Sequence, residues 1–289
     1  MRPILKDLLH LLKLERIEHD IFRGESRDIG SPRVYGGQVL GQALSAASAT
    51  VDDRRVHSLH AYFLRAGDVE ADIVYIVDRA RDGGSFSNRR VVAIQHGQQI
   101  FNMTASFQKD EQGIEHQAPM PDVPPPEQLA DLRELTTAML ARIPDKLRRY
   151  FTHERPFDVR PVWPLALLSA EKTEARQCFW VKTVDALPDD AEVHRNLLAY
   201  VSDYQLVATA TLPHGIHFES GQLQLASLDH AMWFHRPFRL DDWMLYSMDS
   251  PNASGARGLA RGQFYTRNGT LVASTAQEGL LRVRDSAET

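Results

Sequence analysis

Cysteine is almost missing from this chain. Cys178 is the only one, so no intrachain disulfide forms and no CxxC zinc site exists. A reducing, cytoplasmic setting is the matching expectation. A basic surplus is missing too: 33 Lys and Arg stand against 38 Asp and Glu, a net charge of -5, which argues against a nucleic-acid partner. No apolar run approaches the roughly 20 residues that a membrane helix needs. The opening MRPILKDLLHLLKLERIEHD is broken by Lys6, Asp7, His10 and Lys13. It reads as an amphipathic helix packed on the body, neither a signal peptide nor a membrane span. The final RDSAET carries no peroxisomal tripeptide. Several catalytic signatures are absent as well. There is no GxGxxG, no HExxH and no GxSxG; Ser85, between Gly84 and Phe86, does not match the last. HSLH (His57, His60) and HGIH (His214, His217) offer only isolated histidine pairs, read as structural or substrate-facing. Neither a metal nor a cofactor is expected.

What is present is a duplication. HAYFLRAGDVEADIVYIVD begins at His60, and HAMWFHRPFRLDDWMLYSMD begins at His230. With one residue inserted in the second, His60-Ala61 meets His230-Ala231, Arg65 meets Arg236, Tyr75 meets Tyr246 and Asp78 meets Asp249. Each segment is followed by a stretch of arginines and small residues, then by a turn at His96-Gly97 or Asn268-Gly269 between two strand-like runs. A spacing of about 170 residues is far beyond the 20–50 of a solenoid. The 289 residues suit two modest domains: 1–110, a proline-rich connector with its helix at 111–150, and 151–289.

A helix precedes the strands in each half. GGQVLGQALSAASATV is rich in glycine and alanine, which predicts a helix lying close on a curved sheet. VSDYQLVATATL predicts a less glycine-rich counterpart, with Asp203 at its start. APMPDVPPPEQLADL reads as a stiff connector, and EQLADLRELTTAMLARI as a helix stopped before Pro144. One helix wrapped by an antiparallel sheet, made twice, is an α+β arrangement. Edge-to-edge pairing of the two copies covers an edge that each would otherwise leave open.

VYGGQVLGQAL, HSLHAYFLRAG, GGSFSNRRVVAIQ, PHGIHF, DHAMWFHRPF and ARGLARGQFYTRNGTLVASTAQEG together resemble the acyl-CoA thioesterase II family, over nearly the whole chain. The resemblance implies a double hotdog fold, hydrolysis of acyl-CoA to a free fatty acid and CoA, and a homo-oligomer, either a dimer or a tetramer of double hotdogs. It implies three reacting groups in the second half. The aspartate of a YxSD motif is Asp203, beside Tyr200 and Ser202. The hydroxyl just before DHxMWFH is Ser227, where the family often has threonine. The glutamine of STxQEG is Gln277.

A thioester needs little more. Its leaving thiol has a pKa of ~8.5, so it departs with little help from a proton. A carboxylate can take a proton from water, and a hydroxyl and a carboxamide can hold that water. Asp203 is therefore read as the general base, with Ser227 and Gln277 orienting the nucleophile; an anhydride on Asp203 stays open. Gly36 and Gly37, at a helix start, are candidates to polarise the thioester carbonyl. His57, Arg257 and Arg261 complete the expected substrate-binding set, the arginines toward the CoA phosphates. The hairpin turns align Gln277 with Ala105, and the helices align Asp203 with Gly37. The first half thus lacks the carboxylate and the carboxamide, and one reacting site per chain is expected. Taken alone, Asp203 would cap a helix N-terminus, Ser227 would be a strand serine and Gln277 a polar face residue. Two other functions remain in view. One is a CoA-thioester hydratase or dehydratase, with Asp229 and His230 as its pair. The other is a non-catalytic acyl-CoA-binding protein.

Overall fold

The computed structural model describes residues 1–31, 33–139, 154–163, 171–216 and 223–283. The end of the expected connector helix, the stop at Pro144, the boundary at 150, His217 and the last six residues lie outside them.

The first half contains β1 (Glu15–Glu18), β2 (Ile21–Gly24), α2 (Gly36–Ser48), β3 (Arg55–Phe63), β4 (Ile73–Asp82), β5 (Phe86–Gln95) and β6 (Gln98–Gln108). The second contains β7 (Phe157–Pro161), β8 (Arg176–Thr183), α4 (Ala191–Ser202), β9 (Leu223–Ser227), β10 (Asp229–Phe234), β11 (Met244–Ser254), β12 (Arg257–Thr266) and β13 (Leu271–Val283). Helix α1 (Pro3–Leu12) precedes both, and α3 (Leu132–Met139) lies in the connector. Strand alternation is clear in β5, where every second residue is buried. The β5–β6 turn places His96 and Gly97 at φ 49° and 71°, the two left-handed residues that a tight hairpin requires.

The strands form one antiparallel sheet in the order β1-β2-β4-β5-β6-β3-β10-β13-β12-β11-β8-β7, with β9 added beside β13. Read from either end toward the middle, the two halves have the same order. They join at β3 and β10, where His60 sits opposite Ala231 and Ala61 opposite His230. The two dipeptides lie opposite one another one residue out of phase, since His60 is exposed whereas His230 is buried beside Ala61. This is a double hotdog: two helices wrapped by one continuous sheet, each half closing the other's inner edge.

The two helices pack against one another, and this corrects the expectation for the glycines. Gly37 and Gly41 bring α2 close to α4 rather than to its sheet, whereas at Gly36 a Cβ would stand 3.1 Å from the Phe63 ring of β3. A Cβ on Gly37 would run into the carbonyl oxygen of Tyr200, and one on Gly41 would stand 3.0 Å from that of Asn196. The alanines do the remaining core work, with Ala43, Ala46 and Ala47 all fully buried. Helix α1 buries Leu5, Leu8, Leu11 and Leu12 against this pair.

The connector crosses the outer face of the second half. Met120, Val123 and Leu129 cover a cluster of Val162, Cys178, Trp180, Leu245, Tyr265 and Leu271. Trp180 Nε1 donates to the Pro124 carbonyl at 2.9 Å, and Arg267 clasps Glu127 at 2.7 and 2.9 Å. Cys178 is buried there, and burial raises its thiol pKa. Among the described residues no helix is long and apolar enough to cross a membrane.

Candidate active site

Helix α4 begins at an N-cap, Asp190, whose side chain accepts from the Glu192 N–H. It ends at Ser202, and Asp203 is its C-cap. This corrects the predicted placement: YVSD closes one helix rather than opening another. Gln205 follows at φ 58°, and Val207–His214 continue as a 3-10 helix. Asp203 therefore stands at the negative end of α4's dipole, where a carboxylate is disfavoured.

The positive end of α2 meets it there. Gly37 N–H donates a hydrogen bond to the Asp203 carboxylate, and a Cβ on Gly36 would stand 2.7 Å from Asp203 Oδ2. The glycine pair thus admits the carboxylate of one half to the helix start of the other. The start of α2 thus faces the Asp203 carboxylate. The alignment of Asp203 with Gly37 changes. The two touch because the helices run in opposite directions, and the counterpart of Asp203 at the end of α2 is its C-cap, Ala49.

The other two groups come from adjacent strands of the same half. Ser227 ends β9, and Gln277 lies fully buried on β13. Gln277 Nε2 donates to Asp203 Oδ1 at 2.7 Å and to Ser227 Oγ at 2.9 Å. Ser227 also bonds the carboxylate. Gln277 Oε1 is buried and unpartnered among the described residues, which leaves one acceptor to spare on the bridging amide. Burial raises the Asp203 pKa to about 6, although bonds from Gln277, Gly37 and Ser227 pull the other way. The carboxylate is deep enough for desolvation to dominate, yet the residue keeps part of its surface.

The remaining expected residues lie elsewhere. His57, on β3, has its Nε2 2.8 Å from Ser106 Oγ and its ring against Phe86. On β12 the residues alternate between faces: Ala260, opposite Gln277, is buried, whereas Arg257 and Arg261 are exposed. Arg257 pairs with Glu278 at 3.0 Å and Arg261 with Asp249 at 2.5 Å. Neither arginine is brought to the three-residue cluster. No group of three or more His, Cys, Asp or Glu among the described residues is placed to hold a metal.

His230 and Asp229 face opposite ways, as neighbours on a strand must. Asp229 accepts from the Glu278 N–H. His230 is fully buried, with Nε2 2.9 Å from Ser202 Oγ. Ser202 spends its one proton on the Ala199 carbonyl, so His230 is assigned as the Nε2–H tautomer donating to it. Burial lowers the His230 pKa to about 3, so the ring is neutral.

Two residues around the site were not read from the sequence as functional. Tyr35 OH donates to the Tyr200 carbonyl at 2.9 Å, and Tyr246 OH donates to the Ser202 carbonyl at 2.7 Å. A signal existed for the second. Its repeat partner, Tyr75, donates to Gln42 on α2 at 2.7 Å, so each half sends the same strand tyrosine to its own helix.

Residues 146–280 match the family described as acyl-CoA thioesterase, and residues 23–108 match its N-terminal domain. Acyl-CoA thioesterase 2 of Haemophilus influenzae is 46% identical over 98% of this chain and 99% of its own. Human acyl-coenzyme A thioesterase 8 is 43% identical over 95% of this chain and 88% of its own. Among solved structures, the acyl-CoA thioesterase II TesB2 of Mycobacterium marinum superposes with a TM-score of 0.79 at 43% identity. That match covers 98% of this chain and all of the other.

Proposed function

This chain belongs to the acyl-CoA thioesterase family, and from that premise we propose that it hydrolyses acyl-CoA thioesters to a free fatty acid and CoA, with Asp203, Ser227 and Gln277 as the reacting site. The observation that carries the reading is the single carboxamide nitrogen of Gln277 bridging the Asp203 carboxylate and the Ser227 hydroxyl at 2.7 and 2.9 Å. Three side chains this close can grip one water.

The steps follow from the groups present. Water attacks the thioester carbonyl carbon and gives a proton to Asp203. With a pKa of about 6, this carboxylate is ionised at pH 7 and a stronger base than an ordinary aspartate. Ser227 holds the water in line, and Gln277 orients the pair through its bonds to Asp203 and Ser227. The tetrahedral intermediate then collapses, the carbon–sulfur bond breaks, and CoA leaves as a thiolate that needs little protonation. The Asp203 proton passes to the thiolate or to solvent, and the base is restored. The positive end of α2 keeps the Asp203 carboxylate ionised and so ready to take the proton.

Hydration of a carbon–carbon double bond is the weaker reading. Its acid–base pair would be Asp229 and His230, and those side chains point to opposite faces with other partners. The test follows free thiol release from a panel of acyl-CoAs of increasing chain length, alongside the absorbance of an enoyl-CoA. Thiol release with unchanged enoyl absorbance is the expected result. Loss of enoyl absorbance without thiol would overturn it.

A further inference from the structure

The last carbonyls of a helix have no partner within it, and at the end of α4 they lie next to the carboxylate that must accept a proton. The site has an unusually full answer. Ala199 O accepts from Ser202 Oγ at 2.8 Å, Tyr200 O from Tyr35 OH at 2.9 Å and Ser202 O from Tyr246 OH at 2.7 Å. Val201 O accepts from the backbone N–H groups of Asp203 and Tyr204. Two of these donors are tyrosine hydroxyls from elements distant in sequence. Tyr35 belongs to the N-terminal half, immediately before α2, and its ring packs against Tyr200 and Tyr204 at 4.9 and 5.5 Å. Tyr246 is on β11, fully buried, stacked on Phe264 at 3.8 Å, with its oxygen 2.9 Å from Thr275 Oγ1. Gly262 makes room for it, because a Cβ there would collide with the Tyr246 ring.

We propose that Tyr35 and Tyr246 are positioning residues for the hydrolytic reaction: their hydroxyls clamp the Tyr200 and Ser202 carbonyls on either side of Val201 and so fix the height and aim of the Asp203 carboxylate. The proposal rests on the reading of Asp203 as the base. Through Tyr35, the half that carries no reacting group takes part in the chemistry. A hydroxyl donated to a helix-end carbonyl also offsets its partial negative charge, so losing it makes the ionised carboxylate harder to keep.

Among the described residues, the ionisable groups at the Asp203 turn are the phenols of Tyr35, Tyr200 and Tyr204 and two groups that face it from the sheet. Tyr246 faces it from β11; burial holds its hydroxyl protonated, opposed by the bond from Thr275 and reinforced by the nearby carboxylate. His230 faces it from β10 through Ser202 and is neutral. Gly37 on α2, Ser227 on β9 and Gln277 on β13 bring no charge. A pH profile therefore reads Asp203 with little interference.

The experiment compares kcat, KM and the pH profile of kcat/KM for the full-length chain and its Tyr35→Phe variant. Phenylalanine keeps the ring against Tyr200 and Tyr204 and removes only the hydroxyl. The expected result is a kcat about tenfold lower with KM nearly unchanged, and an acid limb whose midpoint moves up by about half a pH unit, the worth of one hydrogen bond. Tyr246→Phe should shift the limb in the same direction. Because Tyr246 is buried, its melting temperature is measured in parallel, and Tyr35→Phe alone decides the matter if Tyr246→Phe does not fold. An unmoved acid limb in Tyr35→Phe, whatever the loss of rate, would overturn the proposal and leave the tyrosine a packing role. A wild-type profile with no acid limb would instead overturn the reading of Asp203 itself, so the two failures are distinguishable.

Discussion

At the scale of the residue, Asp203 is held in tension. It sits at the wrong end of its own helix and the right end of another, in a pocket that raises its pKa to about 6. The folded protein binds the proton more tightly than the unfolded chain, whose aspartate keeps the ordinary value of 3.8. Protonated Asp203 therefore favours folding below pH 3.8, and that contribution is lost as pH rises through about 6. An uncharged substitute is spared the loss. Asp203→Asn should melt several degrees above wild type at pH 8, with the gap shrinking as pH falls toward 4; equal melting temperatures at pH 8 would show that burial does not strain this group. The three residues proposed to react were legible only through the resemblance. An aspartate near a helix, a serine on a strand and a glutamine in AQEG are ordinary residues until a third dimension brings them within one hydrogen bond of each other.

At the scale of the element, the helices carry the lesson. The apolar spacing of VSDYQLVATATL suggested a helix starting at Asp203, yet the true helix runs through AEVHRNLLAYVS and stops there. Local pattern could not set the polarity, because a Ser-Asp pair suits a helix start by its side chains. What decides is the N-cap already placed at Asp190 and the left-handed Gln205 just beyond. The glycines of α2 were similarly legible as a demand for close approach but not as to what approaches, since a helix and a sheet make the same request of a small residue. The two positions should respond differently to alanine. Gly37→Ala drives a methyl into a backbone carbonyl of α4 and should cost about 1–3 kcal/mol of stability by overpacking. Gly36→Ala meets side chains rather than backbone: the end of Asp203 at 2.7 Å and the Phe63 ring at 3.1 Å. It should fold normally yet lose about 10²-fold in kcat, because displacing a reacting group by an ångström is enough. Denaturant melts and steady-state rates of both variants check this; a Gly36→Ala enzyme of full activity would contradict it.

At the scale of the whole molecule, the duplication was the clearest message in the sequence. The His-Ala dipeptides that announced it face each other across the seam, and the chain order of the first half repeats outward through the second. The symmetry stops at the chemistry. Where the second half has Asp203 and Gln277, the first has Ala49 at its helix end and Ala105 on its β6 strand. The first half supplies instead the helix start and the tyrosine hydroxyl that support the other half's carboxylate. All three scales meet in that one group, the base of the proposed reaction. The most direct test is single-turnover release of free thiol from an acyl-CoA by full-length wild type and Asp203→Asn. The variant should be slower by about 10²–10⁴-fold, the ordinary worth of a general base. A variant that keeps half or more of the wild-type rate would contradict it.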